Sequence, residues 1–250
     1  MCILVSVCIA TYNGERYIIS QLQSVLAQLD SADEVIISDD GSTDKTVDLI
    51  RAFNDKRVKV FEHEKKNNSN PGRLKFVYYL NRNFENAIRE STGDYIFIAD
   101  QDDIWLPQKV ETVKSLLNNC DLVLHDCIIV NENLEVIEDS HFNIKKPTTG
   151  LLRTLFKPTF KGCCMAFTKN LKRYILPFPD IAIEYDTWIG ICAIKYAKII
   201  IEKRPFIQWR RHSSNISPHV GKSTNNVYIK ILRRLIILYV LLFKCKRKLG

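Results

Sequence analysis

The first half of the sequence predicts an α/β protein built on a mostly parallel central sheet flanked by helices. Apolar runs of strand length alternate there with segments of helical periodicity, the rhythm of strand–helix–strand units. The run YIFIA at 95–99 stops abruptly at DQDD, so carboxylates stand at a strand end. Two more polar clusters, TYNGE after the first run and DDGSTD after the second, end their strands in the same way. Open α/β sheets bind ligands beyond the carboxyl ends of their strands. The three clusters together therefore describe a crevice with an acidic floor.

Taken in order, Ile3 to Ile9 is the first strand, and Glu15 to Gln28 a helix with Ile18, Leu22, Val25 and Leu26 on its inner face. Glu34 to Ser38 is the second strand. Thr43 to Phe53 is the next helix, with Ser42 or Thr43 as N-cap, and Val58 to Phe61 the third strand. EHEKKNNSNPGRLK is polar and turn-rich, as a loop is. A helix at Phe76 to Glu90 ends in the turn STGD and leads into the strand Tyr95 to Ala99. Pro107 suits the first position of another helix. DLVLHDCIIVNENLEVI is a strand followed by a hairpin around Asn131 to Asn133, and a further helix is expected at Asp186 to Tyr196.

The chain has 250 residues, 46% of them hydrophobic and 26% charged, enough for one large domain with a C-terminal appendage. Its eight cysteines include no C-x-x-C pair, and several lie in apolar runs where a thiol acts as a small hydrophobe. That argues against a zinc site or a secreted disulfide framework and for a reducing cytoplasm. MCILVSVCIA lacks the basic flank and cleavage site of a signal peptide and is expected to be a strand. The net charge of +8 suits an anionic partner. Much of it lies at 218–250, where the apolar run from Leu235 to Phe243 is flanked by Lys230, Arg233 and Arg234 and by Lys244, Lys246, Arg247 and Lys248. Nine apolar residues are too few to span a bilayer. A basic amphipathic helix is expected instead, lying on an anionic membrane surface or packing on the domain or on a second copy.

In an extended segment Asp100 and Asp102 point the same way, and two hard oxygen donors suit Mg²⁺ or Mn²⁺ completed by substrate phosphates. The bland alternative is a solvated turn. Asp39 and Asp40 precede Gly41 at a strand-to-helix corner, where a carboxylate can accept from a base imide and Tyr12 can stack. Helix capping explains the same residues.

VCIATYNGERYIISQLQSVLAQ, DEVIISDDGSTDKTVDLI and GDYIFIADQDDIWLPQKVE, in this order and spacing, resemble the nucleotide-sugar half of the family 2 glycosyltransferases, which have the GT-A fold with a Rossmann-like sheet. The form DQDDIWLP is similar to bacterial rhamnosyltransferase-like members that build surface polysaccharides. The resemblance is strong over residues 3–126 and looser to 217. It implies a GT-A domain at 1–217, with a nucleotide-sugar half at 1–126 and an acceptor half at 127–217.

The resemblance also implies roles. Asp40 would hold the base with Tyr12 and the backbone at Ala10 and Thr11, and Arg82 or Lys75 would approach the diphosphate. Asp100, beside Gln101, would face the donor ribose or the metal, and Asp102 would be the main metal ligand. In EYDTW, Asp186 would be the catalytic base, with Glu184 as runner-up because Tyr185 separates the usual acidic pair. Trp188 would wall the acceptor pocket. WRRHSSNIS would supply His212 as a metal ligand and Arg210 or Arg211 as a diphosphate contact. In KGCCMAF, Gly162 would let the sugar approach the backbone, with Cys163 and Cys164 packing beneath.

The implied reaction is a metal-dependent inverting transfer of a hexosyl or deoxyhexosyl group from a UDP- or dTDP-linked donor to a saccharide or lipid-linked acceptor. It would take place in the cytoplasm, at the inner face of the membrane. Competing readings are a sugar nucleotidyltransferase, a noncatalytic nucleic-acid binder and an inactive scaffold. No glycine-rich phosphate loop opens the chain, and no basic stripe with interleaved aromatics supports nucleic acid.

Overall fold

The computed structural model describes residues 3–63, 72–156, 158–180, 183–212 and 234–239. Four parallel strands form one half of a nine-stranded sheet: β1 (Val5–Thr11), β2 (Glu34–Asp39), β3 (Val58–Glu62) and β4 (Tyr95–Ala99), in the order β3-β2-β1-β4. β1, β2 and β4 are buried along their whole length. Burial on both faces explains why they are mostly apolar, and the buried exceptions Ser6 and Glu34 bond each other at 2.6 Å. The chain steps outward from β1 to β3, then lays β4 on the other side of β1. The connections leaving β1 and β4 therefore diverge, and a crevice opens between them.

The helices of this half fill the expected places with shifted ends. α1 (Ile18–Leu26) buries Ile18, Leu22, Val25 and Leu26 as its spacing predicts. It starts three residues later than expected because Gly14 O takes the amides of Tyr17 and Ile18, both at 3.0 Å, in a preceding turn. α2 (Thr46–Ala52) is not capped by Ser42 or Thr43. Asp44 Oδ1 accepts from Thr46 N at 3.0 Å, while Ser42 is engaged with Asp39. α3 (Gly72–Glu90) packs on β1 and β2. Most of the expected loop at 62–75 lies outside the described residues.

The second half is more regular than its sequence suggests. β5 (Ile104–Trp105) and α4 (Lys109–Leu117) lead to β6 (Leu122–Val130), which forms the expected hairpin with β7 (Val136–Glu138). α4 begins at Lys109 rather than Pro107, because Gln108 takes a left-handed backbone, φ 67°. Short helices α5 (His141–Ile144) and α6 (Leu151–Phe156) follow, then a 3₁₀ turn (Gly162–Cys164), β8 (Met165–Thr168), α7 (Lys169–Ile175), α8 (Tyr185–Tyr196) and β9 (Ile199–Arg210). β8 runs antiparallel between β4 and β6 and joins the halves into one sheet, and β9 runs parallel to β6 and antiparallel to β5. β9 escapes sequence reading because Lys203, Arg204 and Pro205 interrupt its apolar pattern. The register breaks near Asp126 absorb that interruption.

Of the expected C-terminal amphipathic helix, only 234–239 is described. It is helical, with Ile237 buried against the core and Leu235, Leu238 and Tyr239 exposed. Among the described residues, no helix is long and apolar enough to cross a membrane.

Candidate active site

The crevice is a cleft of about 800 Å³, lined from both halves of the sheet. Its floor is fixed by side-chain amides. Gln101 accepts from Tyr12 N at 2.9 Å and donates to Tyr12 O at 3.1 Å, which ties the ends of β1 and β4 together. From α1, Gln21 holds Asp100 O at 2.9 Å, and from α3, Asn83 holds Thr11 O at 3.0 Å. Tyr12 and Asp100 lie past the ends of their strands, where side chains supply the partners that the ladder does not, and Thr11 O shares its acceptor between Asn83 and Asp40 N.

The paired aspartates after β2 divide the work. Asp39 takes Thr11 Oγ1, Ser42 N and Ser42 Oγ at 2.6 to 2.8 Å and shapes the turn, helped by Gly41 at φ 72°. Asp40 faces the cleft beside Ala10, Thr11 and Tyr12, whose ring is 43% exposed. His63 Nδ1 lies 3.4 Å from Asp40, a neighbour that the sequence did not reveal.

On the facing wall, His212 Nε2 lies 2.8 Å from Asp102 Oδ2 across 110 residues of chain. Arg210 sets this contact: its N–H donates to Asp103 at 3.1 Å and its Nε to Asp102 O at 2.9 Å, so the end of β9 is fastened to the DQDD turn. Asp100 lines the same cleft. Burial first, and the Asp102 charge second, push its carboxyl up to about 6. The Asp102 carboxylate and the His212 imidazole offer an oxygen and a nitrogen 2.8 Å apart, donors that fit Mn²⁺, or Mg²⁺ with more of its own waters.

At the far end, Glu184 and Asp186 both line the cleft at the start of α8. Asn81 on α3 positions them by donating to Ile183 O at 2.7 Å and accepting from Tyr185 N at 2.9 Å. Tyr185 stacks on Phe84, ring centroids 4.0 Å apart, and its hydroxyl lies 3.4 Å from Asp100 Oδ1. Burial and the nearby Asp100 and Asp186 carboxylates push this phenol well up, so it stays a neutral donor. Burial, then the Glu184 charge, raise Asp186 to about 6.

Gly162 is required by this geometry, since a Cβ there would fall 1.9 Å from Tyr185 Oη. Tyr185 is held by Phe84 and Asn81 and cannot easily yield. Gly162→Ala is therefore expected to cost about 1–3 kcal/mol of stability, the usual range for overpacking, and to lower turnover by displacing Tyr185. Chemical denaturation and steady-state rates on the same preparation check this.

Several expected residues sit elsewhere. Arg82 does not line the cleft; its guanidinium pairs with Glu85 and Asp180, and Lys75 lines the cleft instead. Trp188 is buried core, donating to Ile175 O at 2.8 Å, because its position on α8 faces α7 rather than the cleft. The Cys163 thiol is buried and pushed well up by burial, it hydrogen-bonds with Asp100 and Cys164, and its carbonyl accepts from Lys109 Nζ at 3.2 Å. Arg210 is occupied with Asp102 and Glu132, whereas Arg211 faces the cleft.

Other cleft residues went unanticipated: Arg16, Tyr17, Asn81, Tyr185 as a wall, and Lys161, whose ammonium lies 3.1 Å from the Trp209 ring centre. Buried Lys109 lies beneath, 3.8 Å from the Trp105 ring centre, with its ammonium pushed down to about 8 by burial. Among the described residues, two groups have ligand atoms within 4.8 Å of one another: Asp100 with Asp103 and Cys163, and Asp126 with Cys127 and His141. Asp126 already accepts from Cys127 N, Phe142 N and Ser140 Oγ, which makes it a structural cap.

With this geometry in place, comparison with known proteins is direct. The profile described as glycosyl transferase family 2 matches residues 6–174. The chain is 35% identical to the dTDP-rhamnosyl transferase RfbG of Shigella flexneri over 220 residues, covering 82% of this chain and 72% of that protein. It is 30% identical over 191 residues to WfgD of Escherichia coli, named a UDP-Glc:alpha-D-GlcNAc-diphosphoundecaprenol beta-1,3-glucosyltransferase, covering 75% and 69%.

Among solved structures, S. aureus TarS 1-349 with UDP-GlcNAc superposes with TM-score 0.68 at 21% identity, covering 95% of this chain and 67% of that one. Glucosyl-3-phosphoglycerate synthase of Mycobacterium tuberculosis, with Mn²⁺ and UDP, gives TM-score 0.55 at 20% identity, covering 97% and 80%. In another TarS 1-349 structure the chain spans 60% of the length. The sheet order, the cleft and the family match agree: the chain belongs to glycosyl transferase family 2, enzymes of GT-A type fold that transfer a sugar from a nucleotide-sugar donor.

Proposed function

We propose that the chain is a metal-dependent inverting glycosyltransferase that moves a deoxyhexosyl or hexosyl group from a dTDP- or UDP-linked donor to a saccharide acceptor. The observation that carries this is the 2.8 Å contact of Asp102 with His212 in a cleft that also holds Asp40 and Asp186. Asp40 accepts a hydrogen bond from the base imide and the Tyr12 ring covers it. Arg211 and Lys75, which both line the cleft, supply positive charge to the diphosphate. Asp102 and His212 would hold a Mn²⁺ or Mg²⁺ ion, which would supply Lewis-acid charge to the leaving group. Gly162 and Tyr185 bound the space for the transferred sugar. From the opposite side, Asp186 accepts the proton of the acceptor hydroxyl as general base.

A lipid-linked acceptor draws support from WfgD, whose named acceptor is a diphosphoundecaprenol-linked sugar, and from the basic C-terminal sequence. Work at the inner face of a membrane fits that acceptor. The nucleic-acid alternative is disfavoured by the carboxylates that line the cleft.

A screen of dTDP- and UDP-sugars with Mn²⁺ and with Mg²⁺, followed by thermal shift and nucleoside diphosphate release, tests the reading. One donor is expected to stabilise the protein only with metal and to release its diphosphate faster when acceptor is added. Stabilisation by a sugar 1-phosphate with a nucleoside triphosphate, with pyrophosphate released, would point to a nucleotidyltransferase instead.

A further inference from the structure

We propose that Tyr17 and Glu132 form a latch that positions His212 for the metal, making both of them positioning residues for the transfer reaction. The inference rests on the assignment of a metal to Asp102 and His212. Three segments far apart in sequence meet beside that pair. Tyr17 stands at the start of α1, Glu132 in the turn between β6 and β7, and Arg210 and His212 at the end of β9. The Tyr17 hydroxyl donates to Glu132 Oε1 at 2.7 Å, and Arg16 pairs with the same carboxylate. The Tyr17 ring lies against the His212 ring, centroids 4.8 Å apart and tilted by 31°, with the Arg210 guanidinium 4.7 Å from its centre. Arg210 then closes the circuit by donating to Glu132 O at 3.2 Å and to Asp102 O at 2.9 Å.

The turn that presents Glu132 is itself fixed. Asn131 Oδ1 takes the amides of Asn133 and Glu135 at 2.9 and 3.0 Å, and Asn131 N donates to Glu135 O at 2.9 Å. A latch held only for stability would be a poor investment of these residues. The side chains of Arg16 and Glu132 are 65% and 37% exposed, and exposed pairs contribute about 0–1 kcal/mol. Orientation is where the arrangement has leverage. A metal-binding imidazole must present its nitrogen along a fixed direction, and loss of the groups that orient a ligand typically lowers metal affinity about 10–100-fold. The Tyr17 ring sets the plane of the His212 ring, and the Glu132 carboxylate sets the Tyr17 ring.

The test is a calorimetric titration of UDP or dTDP, whichever the wild type binds, at increasing Mn²⁺. It covers the wild type, Tyr17→Phe, Glu132→Ala, His212→Ala and the Tyr17→Phe/His212→Ala double variant. Tyr17→Phe removes one hydroxyl and keeps the ring, so it retains the packing, and Glu132→Ala breaks the latch from the other side. Both are expected to raise the Mn²⁺ needed for half-maximal nucleotide binding about 10-fold, with metal-free nucleotide binding unchanged. Once His212 is alanine, Tyr17→Phe is expected to add nothing, the non-additivity of residues that act through one another. Wild-type titration curves for both single variants, or a Tyr17→Phe effect of equal size in the His212→Ala background, overturn the latch. Wild-type binding that ignores Mn²⁺ overturns the metal assignment and the latch with it.

Discussion

Asp186→Asn is expected to turn over at least ~10²-fold more slowly, the size typical of a lost general base, while it binds the donor nearly as the wild type does. The amide is isosteric, so the hydrogen bond from Thr187 N at 2.6 Å persists and α8 keeps its start. What disappears is the ability to take a proton. The wild-type carboxyl, raised to about 6 by burial and then by Glu184, loses its proton as pH climbs through that value. The kcat/KM profile is expected to rise between about pH 5 and 7 with a midpoint near 6, and the variant is expected to lose this limb.

Stability moves in the opposite direction. A carboxyl whose folded value is raised favours the folded state when protonated, and that advantage is lost as pH rises from the unfolded value through about 6. At neutral pH the asparagine variant has no charge to desolvate, so its Tm is expected to match or exceed that of the wild type. A slow, stable variant separates chemistry from unfolding. Near-normal turnover would instead move the base to Glu184, and Glu184→Gln would then carry the loss.

Asp102→Ala is expected to abolish metal-dependent binding of the nucleoside diphosphate, a loss beyond the ~10–100-fold of ligand-orienting residues because a ligand itself is gone. Calorimetry with and without Mn²⁺ reads it directly. The substitution is expected to leave the fold intact. The Asp102 charge raises the carboxyls of both Asp100 and Asp103, so its removal relieves repulsion at two buried neighbours. Arg210 contacts the Asp102 backbone oxygen and Asp103 Oδ1, neither of which the change removes. Unchanged Mn²⁺ dependence in this variant would place the ion elsewhere.

The parallel half of the fold was legible because strands buried on both faces are mostly apolar, as the middles of β1, β2 and β4 are. β9 was not, since its middle carries Lys203, Arg204 and Pro205 and its pairing with β6 tolerates them only through register breaks. Helix ends drifted for local reasons, such as Ser42 being held by Asp39 while Asp44 takes the Thr46 amide at the start of α2.

For the cleft, the resemblance named residues in contiguous motifs and the cleft gathers most of them. Arg82 and Trp188 lie off the cleft because each meets a nearer partner, Glu85 with Asp180 for the first and Ile175 O for the second. Asn81, Lys109 and Tyr17 were invisible for a different reason. Their roles depend on contacts with Ile183, Cys163 and Glu132, and no spacing along the chain encodes such meetings.

Crystals grown with Mn²⁺ and UDP or dTDP, with anomalous data collected at the manganese edge, test the central claim most directly. The account predicts one anomalous peak in contact with Asp102, His212 Nε2 and the diphosphate, with the base over Tyr12 and bonded to Asp40. A nucleotide seated in the cleft with no ion touching Asp102 or His212, or seated outside the cleft, would contradict it.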